Sequence, residues 1–231
     1  MISSDKIDKA ASFARDFHSK DGSGHDWFHV WRVWQLAKHI AQQEQVNVDL
    51  VELAALLHDM DDWKLQNFDG KDMPNARSLL LSLDVNVELI ERVVEIIKET
   101  SFKGAKVNTK PTSIEACVVQ DADRLDAIGA IGVARAFAYG GSKTRLLYDP
   151  NIKPNLHNSF EEYKKAEGTT LNHFYEKLLL LKDLLNTETA KTIAIQRHQF
   201  MEQFVEQFLD EWNLRDIERG CFNRLSKSNT D

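Results

Sequence analysis

An apolar helix that ends in an imidazole and a carboxylate constrains this chain more than any other stretch. Residues 50–57 are almost wholly apolar, and His58 and Asp59 follow them directly. Adjacent helix positions point about 100° apart, so both side chains can still converge on one ion at the helix end. Burying them beside an apolar helix costs several kcal/mol unless they are paired or ligate a metal. The stretch therefore predicts either a metal site or a capped helix end.

Composition predicts an all-α protein. The 231 residues include only 10 Gly and 4 Pro and are rich in residues with high helix propensity. No stretch has the composition of an interdomain linker, so we expect a single compact domain over residues 1–231. Within it, the core that carries the candidate site spans about residues 20–140, and further C-terminal helices span about residues 158–220.

Charge and cysteine content argue against several classes of function. The net charge is -7 and no long basic run occurs, so we expect no nucleic-acid polymer as partner. No apolar run reaches membrane-spanning length, so we expect no membrane partner. Cys117 and Cys221 lie far apart and form no CxxC motif, which fits a reducing, cytoplasmic location.

A second candidate lies in the helix that precedes the apolar one, which we predict to begin at a capping box. Ser23 would be its N-cap, and Asp26 stands three residues on. His25, His29 and Arg32 follow at i, i+4 and i+7, so they form one polar stripe on that helix. Two histidines at i and i+4 can chelate a metal. The alternative is that they only hydrogen-bond beside an aromatic surface, and the spacing alone leaves both open.

The third informative stretch, residues 113–139, predicts one central helix because it is apolar on nearly every side. Asp121, Asp123 and Asp126 interrupt it, together with Arg124. Carboxylates are rarely buried without partners, and one arginine cannot neutralise three of them. A bound cation is the economical explanation. A local ion-pair network centred on Arg124 is the alternative.

Three cations that stand close to glycines are candidates for phosphate contacts. Lys103 stands next to a glycine at a helix end, although a solvated lysine is the more common case at such a position. Lys143 and Arg145 follow two glycines in a basic stretch that we interpret as a mobile surface loop. That stretch lacks the GxxxxGK[ST] spacing, so it is no Walker A loop.

Helix-start signals organise the remaining chain. Asn47 or Asp49 is the predicted N-cap of the apolar helix. Residues 160–212 predict a pair of long helices with a break near residues 186–188, where Thr187 is the predicted N-cap. The apolar residues of this pair can either cover the core or make a dimer contact, so a homodimer stays open.

Together these motifs resemble the HD superfamily of metal-dependent phosphohydrolases, which shares the order His…His-Asp…Asp on successive helices. The resemblance covers most of the chain and is closest to the small stand-alone bacterial branch. The stretches that carry it are residues 24–33 (GHDWFHVWRV), 101–104 (SFKG), 120–129 (QDADRLDAIG), 139–143 (YGGSK) and 172–177 (NHFYEK).

The resemblance implies a metal site and a set of supporting residues. The family's four ligands fall on His29, His58, Asp59 and Asp123, with Asp121 as the alternative for the last. A carboxylate four residues after the histidine of the doublet assists catalysis in related enzymes, and that position is Asp62. His25 would face the substrate or support a ligand, and Arg32 and Lys103, with Lys143 and Arg145, would offset phosphate charge.

Mixed nitrogen and oxygen ligands without thiolate suit one divalent ion, with Mn²⁺ favoured and Mg²⁺, Co²⁺, Ni²⁺ or Fe²⁺ as alternatives. The branch is similar to enzymes that hydrolyse (deoxy)nucleoside triphosphates to monophosphate and pyrophosphate through a metal-activated water. The expected partner is therefore a phosphorylated small molecule, a nucleotide first of all. The alternatives are phosphomonoester or cyclic-nucleotide hydrolysis on the same site, and a regulatory protein that binds a nucleotide without turnover.

Overall fold

A computed structural model of the chain describes residues 2–19, 26–61, 72–101, 109–156, 162 and 168–217. These residues form helices and no β-strand, which confirms the predicted all-α class. None of the described helices is long and apolar enough to cross a membrane. The α-helices are α1 (Ser4–Phe17), α2 (Trp27–Gln43), α3 (Val48–Leu57), α4 (Pro74–Ser82), α5 (Val87–Thr100), α6 (Ile114–Asp126), α7 (Gly129–Ser142), α8 (Asn172–Glu176) and α9 (Glu188–Trp212), and a 3₁₀-helix spans Leu178–Leu184.

The most apolar helix, α3, lies at the centre of the fold. Residues 50–57 are all buried, and α3 packs against α1, α2, α5 and α6. Its buried carboxylate, Glu52, accepts hydrogen bonds from Trp34 Nε1 and Lys38 Nζ, each at 2.9 Å. Because α3 ends at residue 57, His58 and Asp59 stand at the inner end of the central helix.

Side-chain caps fix where the helices begin. Asp26, not Ser23, is the N-cap of α2, and its carboxylate accepts the backbone N–H of His29 at 2.9 Å. The predicted capping box is therefore wrong, and Ser23 lies outside the described residues. Two other predicted N-caps are confirmed, since Asn47, rather than Asp49, caps α3 and Thr187 caps α9.

The predicted single helix over residues 113–139 is wrong, because the chain turns between α6 and α7. Gly129 has a φ of +75°, a left-handed conformation that glycine adopts without strain. The turn directs α7 onto α9. The stretch that we interpreted as a mobile loop begins inside a helix as well, since residues 140–142 form the last turn of α7.

The C-terminal helices cover the side of α6 that carries Asp121 and Arg124. The predicted long helix before residue 186 is wrong in the described part, where α8 and the 3₁₀-helix stand instead. Asp121 of α6 accepts hydrogen bonds from the backbone N–H groups of Asn186 and Thr187, the nearest at 2.9 and 2.7 Å. Arg124 donates to the carbonyl oxygen of Leu184. These contacts hold the start of α9 against the helix that carries Asp123.

Two glycines of α7 test how tightly this helix packs against the turn that follows α6. A Cβ at Gly132 would overlap the backbone carbonyl oxygen of Ala127, whereas a Cβ at Gly141 would meet nothing within 4 Å. We expect Gly132→Ala to lower the free energy of unfolding by about 1–3 kcal/mol, since backbone atoms have to move. Gly141→Ala, the matched control, should leave it unchanged or raise it by up to about 1 kcal/mol. Urea denaturation followed by circular dichroism measures both, and equal effects of the two variants would contradict the packing.

Candidate metal centre

Two helices, α2 and α3, bring two histidines and a carboxylate together. The Nε2 atoms of His29, on α2, and His58, after α3, lie 3.3 Å apart. Asp59 faces both of them, with one carboxylate oxygen 3.1 Å from His29 Nε2 and the other 3.4 Å from His58 Nε2. One ligand atom from each of the three residues fits in a group whose atoms all lie within 4.8 Å of one another. All three side chains are buried.

Asp123 is the fourth side chain of this cluster, after His29, His58 and Asp59, and forms its more open edge. Its Oδ1 lies 3.6 Å from His29 Nε2 and 3.9 Å from His58 Nε2. Its side chain is 28% exposed, whereas that of Asp59 is 8% exposed. Asp121 points away, toward the start of α9. The structure therefore brings Asp123, and not Asp121, to the histidines.

Both imidazoles are held so that their Nε2 atoms face the cluster. His58 Nδ1 lies 2.8 Å from the carbonyl oxygen of Ala55, in the last turn of α3. His29 Nδ1 lies 2.7 Å from a carboxylate oxygen of Asp126. A histidine whose other ring nitrogen is hydrogen-bonded in this way is typical of a metal ligand.

The spacing of these atoms fits a divalent cation. Neighbouring ligands at about 2.1 Å from an ion stand about 3 Å apart, and the separations that His29 and His58 make here run from 3.1 to 3.9 Å. The donor set is two imidazole nitrogens and carboxylate oxygens without thiolate, which suits Mn, Fe, Co, Ni or Mg. The residues present therefore fit the metal that the sequence predicts.

The electrostatics of the cluster also favour a cation. Burial and the nearby Arg135 lower the pKa of His29, but the carboxylates of Asp126 and Asp59 outweigh them and leave it raised. Burial raises the pKa of Asp126, but hydrogen bonds from His29 and Arg32 outweigh this and hold its pKa well below the usual range. Asp59 and Asp123 both face the two histidines, and a cation between them would balance the negative charge of the two carboxylates.

A single cation does not account for the three aspartates of α6, although the sequence favoured that explanation. Asp121 is satisfied by Asn186 and Thr187. Asp126 is satisfied by His29 and by two arginines, one from α2 and one from α7. An Arg124-centred network is not observed either, because the guanidinium of Arg124 donates to Leu184 O and to Thr109 Oγ1. Only Asp123 is left for the cluster.

The remaining predicted residues stand in different surroundings. Arg32 donates from Nε and Nη2 to Asp126, at 2.6 and 3.0 Å. Lys143 and Arg145 follow α7, and their cationic groups lie 5.7 and 5.5 Å from the ring centroid of Tyr139. Whether these three contact a substrate stays a prediction. His25, Asp62 and Lys103 lie outside the described residues.

Sequence reasoning missed the roles of Asp126 and Arg135. Asp126 stands three residues after Asp123, a spacing that puts both on one helix face, and this signal could have linked it to the cluster. The pairing of Asp126 with Arg32 spans 94 residues, so no local pattern announces it. The contact of Arg135 with Asp126 could not be predicted, because it depends on the turn at Gly129 that places α7 beside Asp126.

Comparison with known proteins assigns the family. Residues 27–128 match the HD domain family. The chain is also 40% identical over 203 residues to the uncharacterised protein YpgQ of Bacillus subtilis, which covers 87% of this chain and 91% of YpgQ. The chain belongs to the HD family. The resemblance drawn from the sequence is thereby confirmed.

Solved structures of similar proteins share the fold. A Lactobacillus plantarum protein is 39% identical with a TM-score of 0.85 and covers 93% of this chain and 100% of its own. An HD-superfamily hydrolase from Bacillus thuringiensis is 46% identical with a TM-score of 0.70, covering 91% and 98%. YpgQ in complex with ADP is 36% identical with a TM-score of 0.70, covering 89% and 96%. HD membership and the cluster together support a divalent-metal site and a hydrolase.

The metal site predicts that divalent cations stabilise the fold. We expect Mn²⁺ at 100 times its Kd to raise the free energy of unfolding by about 2.7 kcal/mol and Asp59→Asn to remove that gain, because it deletes a ligand charge. Asp61→Asn is the matched control. Asp61 is equally buried but accepts the backbone N–H of Ala76 at the start of α4, so this variant should unfold more easily yet keep the full Mn²⁺ response. Thermal denaturation with and without Mn²⁺ measures both, and an Mn²⁺ response that survives in Asp59→Asn would contradict the site.

Proposed function

We propose that this HD protein is a metal-dependent phosphohydrolase that converts (deoxy)nucleoside triphosphates to monophosphate and pyrophosphate. The observation that carries the proposal is the pair of imidazole Nε2 atoms, 3.3 Å apart, that face Asp59 and Asp123. A structural ion-pair cluster has no need of two imidazoles aimed at one point. In a cation site such an arrangement has a clear purpose, because each imidazole Nε2 can supply a lone pair to the same ion.

Each residue of the cluster has a distinct part in this proposal. His29, His58 and Asp59 would hold the cation from the buried side, and Asp123 would complete the set at the exposed edge. When bound, a divalent cation supplies positive charge that polarises a phosphoryl oxygen and lowers the pKa of a water molecule. The burial of the histidines excludes bulk water from one side, so a phosphate has to approach from the side of Asp123.

A nucleotide is the favoured substrate class for two reasons. YpgQ, which is similar over 89% of this chain, has been solved in complex with ADP. The protein carries a net charge of -7, and a polyphosphate therefore needs local positive charge to bind. A divalent cation at the cluster, for which Mn²⁺ is our first choice, would supply that charge.

The proton acceptor in this proposal is Asp62, and Lys103 and His25 would contact the substrate. All three lie outside the described residues, so the family resemblance alone supports them. Lys143 stands eight residues beyond Arg135, which corresponds to about 12 Å along a helix axis. Lys143 and Arg145 would thus reach a distant phosphate of an extended substrate rather than the phosphate at the cluster.

A product assay with metal-loaded protein tests the proposal. We expect pyrophosphate and a nucleoside monophosphate from at least one member of a (d)NTP panel with Mn²⁺. His29→Asn should lower turnover by about 100-fold or more, because the cation supplies several kcal/mol of transition-state stabilisation. His39→Asn is the matched control, since His39 lies on the same helix but is exposed, and it should keep full activity.

The same assay separates the alternatives. Orthophosphate as the only phosphate product would assign the protein to phosphomonoester hydrolysis, and turnover of cyclic nucleotides alone would assign it to phosphodiester hydrolysis. Nucleotide binding without any product, with Mn²⁺, Mg²⁺, Co²⁺ and Ni²⁺ each tried, would favour a regulatory role. Any of these outcomes would overturn pyrophosphate release.

A further inference from the structure

We infer that Asp126 is a positioning residue for His29, and that Arg32 and Arg135 serve the same purpose by fixing Asp126. The inference rests on the metal site of the proposed function, but not on which phosphorus bond is cleaved. Asp126 touches none of the atoms that face the cluster. It acts through the far side of the His29 ring, where its carboxylate oxygen lies 2.7 Å from Nδ1.

The carboxylate of Asp126 is held from two other helices. Arg32, on α2, binds both of its oxygens, with Nε 2.6 Å from one and Nη2 3.0 Å from the other. Arg135, on α7, donates from Nη1 to the second oxygen at 2.9 Å. Asp126 itself is 2% exposed. Rotation of this carboxylate would break several charge-assisted hydrogen bonds at once, so its orientation is fixed.

A fixed carboxylate determines which nitrogen of His29 can meet a cation. An ionised carboxylate only accepts hydrogen bonds, so the proton of a neutral His29 ring has to sit on Nδ1. The lone pair is then on Nε2, the atom that lies 3.1 Å from Asp59 and 3.3 Å from His58 Nε2. Asp126 thus selects the tautomer that can ligate.

The two histidines are held by chemically different partners, which provides an internal comparison. His58 Nδ1 faces the neutral carbonyl of Ala55, a partner that no side-chain substitution removes. His29 Nδ1 faces a charged side chain, and a carboxylate partner also makes an imidazole a stronger ligand. A change at Asp126 should therefore alter His29 and leave His58 as it is.

The inference gives Arg32 a different task from the phosphate contact predicted from the sequence. A phosphate-binding arginine affects the KM for the substrate and leaves metal binding alone. An arginine that fixes Asp126 affects the affinity for the metal in the absence of any substrate. The two roles are therefore separable with Mn²⁺ as the only ligand.

Calorimetric titration of the full-length, metal-free protein with Mn²⁺ tests the inference. We expect Asp126→Asn to weaken Mn²⁺ binding by about 10–100-fold, the usual effect of removing a partner that orients a metal-ligating histidine. Asp121→Asn is the matched control, because Asp121 is a buried carboxylate on the same helix that binds Asn186 and Thr187 instead of a histidine. It should lower thermal stability and leave the Kd for Mn²⁺ within about twofold.

A second readout distinguishes positioning from a general loss of stability. In ¹⁵N-histidine NMR of the metal-free protein, we expect Asp126→Asn to shift the ring-nitrogen signals of His29 away from the Nδ1–H tautomer, with those of His58 unchanged. Unchanged Mn²⁺ affinity and unchanged His29 signals in this variant would overturn the inference. Equal losses of Mn²⁺ affinity in Asp126→Asn and Asp121→Asn would overturn it as well.

Arg135→Gln keeps the test decisive if Asp126→Asn fails to fold. This variant leaves every cluster residue and Asp126 in place and removes one hydrogen bond to the carboxylate. We expect a Kd for Mn²⁺ that is several-fold weaker than in the wild type, and an unchanged Kd would overturn the inference. Because neither readout needs turnover, a protein that releases no pyrophosphate but shows these effects would refute the proposed reaction alone.

Discussion

The cost of placing polar side chains at the inner end of a wholly buried helix governs this structure. Residues 50–57 of α3 are all buried, and the next two side chains are His58 and Asp59. Desolvated groups of this kind are tolerated only with partners. The carbonyl oxygen of Ala55 satisfies one nitrogen of His58, whereas Asp59 and Asp123 meet the imidazoles on the other side. A cation is the partner that completes this charge balance.

Helix α6 links the candidate metal ligands to the rest of the protein, because its polar residues are divided between two faces. Asp123 and Asp126 lie toward α2, where they meet His29. Asp121 and Arg124 lie toward the C-terminal helices, where they bind the start of α9 and the end of the 3₁₀-helix. Carboxylates on one short helix thus have unrelated tasks, and the face on which each lies decides which task it has.

The sequence predicted features that depend on local patterns and missed those that depend on distant partners. The apolar α3, the doublet at its end and the caps at Asn47 and Thr187 follow from residues close in sequence, and the motif order pointed to the HD family. Charge counting alone could not separate Asp121 from Asp123, since the partners of Asp121 are backbone N–H groups 65 and 66 residues away. The turn at Gly129 was missed because apolar residues continue through it. The chain turns there through the left-handed backbone conformation of Gly129, which the apolar pattern does not reveal.

The partial exposure of Asp123 has a kinetic consequence for the site. Three of the four side chains that form the cluster are buried, and Asp123 is the one that is partly exposed. If the protein acts as proposed, the metal ion and an anionic ligand would both reach the cluster past Asp123, and the one that binds first would obstruct the approach of the other. A bound phosphate compound would slow the release of the ion to a chelator. The dissociation rates of the metal and of the ligand would therefore change in the same direction.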